Sequence, residues 1–156
     1  MKKLLAICVV SLFVGMTAVT AGQDRGVDDS VRNRFVGAWR RCWLEQQGAD
    51  GKVHRIDCSG LLVYTQDGHM SVQVMERKPQ AQARGARQYS QGDYEAFYGT
   101  YELNESTHTF TFHVDGALVR ALIGKDLPRA YEFSGKQLIV KSTRADEHWS
   151  VAWEHY

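Results

Sequence analysis

The chain has 156 residues, enough for one ordinary domain and too few for two. Its 19 Lys and Arg stand against 18 Asp and Glu. That balance excludes a general nucleic-acid binder, which needs surplus cations to displace counterions from phosphates, and gives no support for steering toward anionic membranes.

The first 21 residues read as a secretory signal peptide. Lys2 and Lys3 precede an apolar stretch from Leu4 to Val14, and Val19-Thr20-Ala21 places small residues before a cleavage point. The apolar stretch is shorter than the roughly 20 residues a membrane-spanning helix needs, so no membrane span is expected. Removal of this segment takes two lysines and no acid, leaving a near-neutral protein exported to the periplasm or secreted. Cys8 goes with it. Cys42 and Cys58 remain, and an even pair in an oxidising compartment predicts a disulfide, which in the chain-entropy picture stabilises by roughly 3 kcal/mol. The pairing requires both thiols on one face of the sheet, which a strand bulge would prevent. No zinc site is expected from two thiols without a nearby pair of histidines.

Residues 22–34 are polar and read as a leader to a domain over 35–156. From Phe35 onward the pattern is β throughout. Phe35 to Glu45 and Val53 to Thr65 flank Asp50-Gly51, a hairpin signal. Gln66 to His69 turns the chain into Met70 to Met75. Further strands are expected over 94–103, 109–114, 129–133, 137–142 and 148–155, separated by turn clusters at 104–107, 134–135 and 144–147. Eight strands with mainly tight connections predict an all-β, antiparallel, up-and-down β-barrel, closed so that no edge is left exposed. Only Ala117 to Ile123 offers a brief helix. Two connections are long. Residues 76–93 are rich in Arg and Lys and read as a solvated loop, or as a lid offering cations to an acidic head group. The connection from Asp115 to Pro128 carries Leu118, Val119, Leu122 and Ile123, and is expected to fold over an open end of the barrel.

Several segments, taken in order, resemble the lipocalin-like domain proteins of the calycin group. They are Phe35 to Arg40, Gly60 to Met75, Phe97 to Leu103, His113 to Leu118, Arg129 to Leu138, and Trp153-Glu154. The resemblance covers nearly all of residues 35–155 and implies a lipocalin-like barrel, without implying a particular activity. Relatives often carry a helical insertion before the Tyr98-Gly99-Thr100-Tyr101 strand, where this chain is shorter. The cysteine pair lies outside the family pattern and suggests an adaptation to export.

Gly37-x-Trp39 resembles the lipocalin signature at the start of the first strand. A structural role is expected, with the indole plugging the closed end and Gly37 admitting a close neighbour. Tyr64, Phe97, Tyr101 and Tyr131 are candidate ligand-binding residues, since phenols in an apolar cavity orient a bound molecule. On the strand at 97–103, the mostly apolar face of Phe97, Gly99, Tyr101 and Leu103 is expected inside, with Glu102 outside. His113 and Asp115, two apart on a strand, share a face. His113 is a further ligand-binding candidate, with a hydrogen-bonded structural histidine as the plainer reading. No phosphate loop, nucleophile elbow or zinc-protease helix is present, so no catalytic residue, cofactor or metal is assigned.

The expected function is binding of a small, largely apolar molecule in the barrel, with no nucleic-acid partner. One alternative is an isomerase, cyclase or hydrolase in the same cavity, using His113 or a buried Glu as acid or base. The other is an interaction module whose barrel is filled by its own side chains. Fold analogy favours none of these over the others, and oligomeric state is open.

Overall fold

The computed structural model describes residues 28–77, 90–91 and 93–156. The signal peptide expected at 1–21, the beginning of the expected leader and most of the 76–93 loop lie outside the described residues. The described residues form an α-helix and ten strands: α1 (Asp28–Phe35), β1 (Gly37–Gln47), β2 (Val53–Ile56), β3 (Cys58–Tyr64), β4 (His69–Glu76), β5 (Ser90–Gln91), β6 (Tyr94–Asn104), β7 (Thr109–Ala117), β8 (Asp126–Ser134), β9 (Gln137–Ser142) and β10 (Trp149–His155).

The sheet runs β10-β9-β8-β7-β6-β4-β3-β1, antiparallel throughout, and β10 pairs with β1 to close it. This is an eight-stranded up-and-down barrel, as the spacing of strands and turns predicts. β2 extends the sheet beyond β1, and the two-residue β5 pairs with β6. The expected single strand over 53–65 is divided at Asp57. The first half of β1 pairs with β3, from Gly37 opposite Tyr64 to Arg40 opposite Leu61, whereas its second half pairs with β2, from Leu44 opposite Ile56 to Gln47 opposite Val53. The Asp50-Gly51 hairpin is present, with the Gly48 amide donating to Lys52 O at 2.9 Å. The Lys52 amide also donates to the Asp50 side chain at 3.0 Å.

The leader reading misses α1. Its sequence opens with two acids and closes with Arg32 and Arg34, the order the helix dipole favours. Val31 and Phe35, four apart, supply the apolar face, and Phe35 is wholly buried. The helix stands against one end of the barrel. There the Trp39 indole donates to Phe35 O at 2.7 Å, satisfying a carbonyl that the helix C-terminus would otherwise orphan. Gly37 makes the turn from helix to strand at φ +135°, and a β-carbon there would sit 2.8 Å from the His155 ring. Both facts exclude a larger residue without rearrangement.

The connection between β7 and β8 contains a short 3-10 helix, Arg120–Leu122. Leu122 reaches the core, but Leu118 and Ile123 are exposed. β7 extends to Ala117 through a bulge opposite Tyr98 and Gly99. Only one of the four apolar residues therefore covers the barrel as fully as expected. No helix among the described residues is long and apolar enough to cross a membrane.

Candidate functional site

Alternation along each strand decides what the barrel interior contains. On β6, Phe97, Gly99 and Tyr101 are buried while Tyr98 and Glu102 face solvent, as the apolar pleat predicts. On β7 the inward residues are Phe110, Phe112 and Val114, and on β8 they are Leu127, Arg129 and Tyr131.

The interior divides into two halves. At the end covered by α1, Phe35 stands among Tyr64, Tyr101, Phe110, Tyr131 and Phe133, with ring centroids 5.0–6.3 Å away. Four of the five pairs are edge-on, the geometry that sets a positive ring edge against a negative face. Arg34 lies over the Phe133 ring at 3.8 Å and Arg32 over Tyr101 at 5.5 Å, so the helix cations cover the plug from outside. Tyr101 donates its hydroxyl to Thr65 O at 3.1 Å. This half is filled.

The other half holds a cavity of about 70 Å³, measured as the space open to the centre of a water molecule. One water needs roughly 10–15 Å³ on that measure, so the space takes a small organic molecule. Its wall is mainly apolar, with Leu62, Val72, Phe97, Phe112, Val140 and Trp153 among the lining residues. Tyr64 forms the boundary between the halves, because its ring packs on Phe35 and also lines the cavity. Three charged side chains join the lining: Arg41, Glu95 and Arg129.

Arg129 is only 4% exposed. Its guanidinium donates to Pro128 O at 2.8 Å and stands over the Trp149 ring at 5.1 Å. Arg41 donates to the Cys58 sulfur from inside the barrel. The Tyr64 hydroxyl is buried and, among the described residues, has no hydrogen-bond partner. Burial, and next the neighbouring Tyr101, holds its pKa well above the ordinary phenol value, against an opposing pull from Arg129. Tyr64 is thus a neutral donor under all ordinary conditions.

Of the residues singled out from sequence, Tyr64 and Phe97 line the cavity. Tyr101 and Tyr131 belong to the aromatic plug instead. His113 faces outward, where its Nδ1 lies 2.7 Å from Asp126 and its Nε2 3.7 Å from Glu102. The Asp126 hydrogen bond raises its pKa above the usual imidazole value. His113 and the cavity lie on opposite faces of β7. Gly37 and Trp39 stand at the closed end; Trp39 is buried, with the His155 ring 3.6 Å from its own.

The expected Cys42–Cys58 disulfide is not formed. The pairing of β1 with β10 shifts register between Arg41 and Trp43, which makes Cys42 the bulged residue. Its thiol faces outward, 3.7 Å from the Glu154 carboxylate, while Cys58 packs against the core beside Arg41. The two sulfurs lie on opposite faces of one sheet. Partial burial and, second, the Glu154 carboxylate raise the Cys42 pKa.

Sequence reasoning passed over Arg41 and Arg129. The signal was present: Leu127, Arg129, Tyr131 and Phe133 occupy one pleat, and so do Gly37, Trp39 and Arg41. A cation in the inward register of an apolar strand marks a polar position inside the barrel. Among the described residues, no group of three or more His, Cys, Asp or Glu converges as a metal site requires.

The family model described as a lipocalin-like domain matches residues 36–154. Among curated proteins, none matches the chain in sequence.

Proposed function

The chain belongs to the lipocalin-like domain family, and we propose that its barrel binds a small, largely apolar molecule in the half of the interior that α1 does not plug. The observation that carries this reading is the apolar cavity bounded below by Tyr64. A void of this size lined by Leu, Val and Phe forfeits packing contacts that a guest restores, and burial of apolar surface contributes about 25 cal/mol per Å². Walls built on rigid strands give the guest a preformed site, which lowers the ordering cost of binding.

The aromatic plug accounts for one half of a filled barrel and leaves the other half for a guest. Of the acid–base groups weighed for an enzyme, His113 lies outside the barrel, so Glu95 is the carboxylate that faces the cavity. Export is part of the same proposal and rests on Lys2, Lys3 and the apolar run that follows them. Fractionation of host cells checks it: the protein found with periplasmic or secreted material supports export, and retention in the cytosol refutes it.

The binding reading is tested by thermal unfolding of the full chain against a panel of small apolar compounds. A ligand at 100 times its Kd stabilises by about 2.7 kcal/mol, a shift of several degrees for a domain of this size. Stabilisation by at least one apolar class is expected, with the gain lost in Phe97→Trp, which fills the cavity. Failure of every apolar class to raise the melting temperature refutes the reading.

A further inference from the structure

We propose that the outer face of β3, β4 and β6 docks a second copy of this chain, giving a twofold-symmetric dimer. Tyr98 is 57% exposed, and Met75, Tyr94 and Leu118 are exposed as well. Strand register gathers them. Across β4 and β6, Ser71 stands opposite Tyr98, Gln73 opposite Ala96 and Met75 opposite Tyr94. On one side, β3 sets Val63, Leu61 and Ser59 against Ser71, Gln73 and Met75. On the other, Tyr98 faces Gly116, and the Leu118 amide donates to Ala96 O at 2.8 Å. Burial alternates along the strands, with Leu62, Val72 and Phe97 inward, so this grid lies on the outside of the barrel.

None of these grid positions is an acid or a base, although 24% of the chain is charged. Charge depletion with exposed tyrosine and methionine is the composition of an interface core rather than of a solvated surface. The tip of the Tyr98 ring lies on Gly116, where a β-carbon would come within 2.4 Å of it. The ring is thus laid along the sheet, which lowers the ordering cost of docking.

Charge and area favour a copy of the chain as the occupant. Twofold docking sets a patch against itself, where any charge would meet its like; an uncharged patch has no such penalty. A strongly acidic or basic partner would find no opposite charge in the grid. With 19 Lys and Arg against 18 Asp and Glu, two whole chains repel little. At ordinary strand spacing the grid measures roughly 20 by 20 Å, half of the ~800 Å² per partner that a standard interface buries. Arg40, opposite Leu61, and His69, opposite Thr100, begin the polar rim that completes such a core. An interface of this size and low charge is a weak one, with dissociation in the micromolar range.

The test is sedimentation velocity of the full chain from about 1 to 500 μM, a range that brackets micromolar dissociation. The mean mass is expected to rise from that of one chain toward that of two. Tyr98→Glu sets a carboxylate against its own symmetry mate. Gln73→Glu does the same while keeping an acceptor for the Tyr94 hydroxyl, which now bonds Gln73 at 3.1 Å. Each is expected to raise the dissociation constant at least about tenfold, because like charges brought together in an interface repel. Ala130→Glu adds the same charge to the outward pleat of β8, opposite Lys141, and is expected to change the constant by less than about twofold. A single-chain mass throughout the range overturns the proposal. So does a dimer that survives the carboxylate variants, or one that Ala130→Glu weakens equally. Growth beyond two copies refutes the closed pair. Where Tyr98→Glu does not fold, Gln73→Glu decides.

Discussion

The Phe35 ring stands edge-on to the Tyr64 ring, with centroids 5.1 Å apart. One residue belongs to the helix that closes the barrel and the other to the floor of the cavity. Their contact couples the closed end to the binding half, so the plug determines where the cavity floor lies.

Phe35→Ala removes a fully buried ring with five aromatic neighbours. We expect a loss of about 3–5 kcal/mol, the range for a buried phenylalanine that leaves a void. Urea unfolding monitored by tryptophan fluorescence measures it. A loss below about 1 kcal/mol would mean that α1 contributes little to closing the barrel.

Gly99 lies at the bulge between β6 and β7, where a β-carbon would come 1.9 Å from His113 O. That atom is backbone and cannot swing aside. Gly99→Ala is expected to cost at least about 1–3 kcal/mol, the usual range for overpacking, and to shift the strand pair. Denaturant midpoints give the cost, and amide chemical shifts of residues 97–100 and 113–117 locate the displacement. Unchanged stability would refute the close approach.

The His113–Asp126 pair makes stability depend on pH. The Asp126 hydrogen bond raises the folded-state pKa of His113 above 6.5. The folded state therefore holds the proton more tightly than the unfolded chain, and the contribution is full below the unfolded value and fades as pH rises through the folded one. The side chain is about one-third exposed, so screening reduces the effect to a few tenths of a kcal/mol. Asp126→Asn should destabilise measurably near pH 5.5 and hardly at all near pH 8, and should move the His113 proton resonance titration downward. An unshifted titration would count against the bond.

Cys42 and Cys58 should both be alkylated when the chain is denatured without reductant, as peptide mapping by mass spectrometry would read out. In the folded protein, exposed Cys42 should react before Cys58, though slowly at neutral pH because its thiol is held protonated. Replacement of Glu154 by Gln should speed the reaction. Protection of both cysteines in the denatured, unreduced chain would restore the disulfide.

Strand identity, strand count and the inward face of β6 are local properties. Alternating side chains and turn residues such as Asp50-Gly51 specify them, because pleat period and turn geometry act over two to four residues. Barrel closure follows from these elements by the cost of leaving edges unpaired. Three features required the folded chain. The bulge at Cys42 lies where the register of β1 against β10 shifts, and no local signal says which face a bulged residue takes. His113 is outward because Phe110, Phe112 and Val114 claim the inner pleat of β7. The gathering of Tyr64, Arg41 and Arg129 at one cavity joins strands β3, β1 and β8, residues far apart in sequence. Alternation decides whether a side chain faces inward; only the curvature and stagger of the closed sheet decide which inward side chains meet.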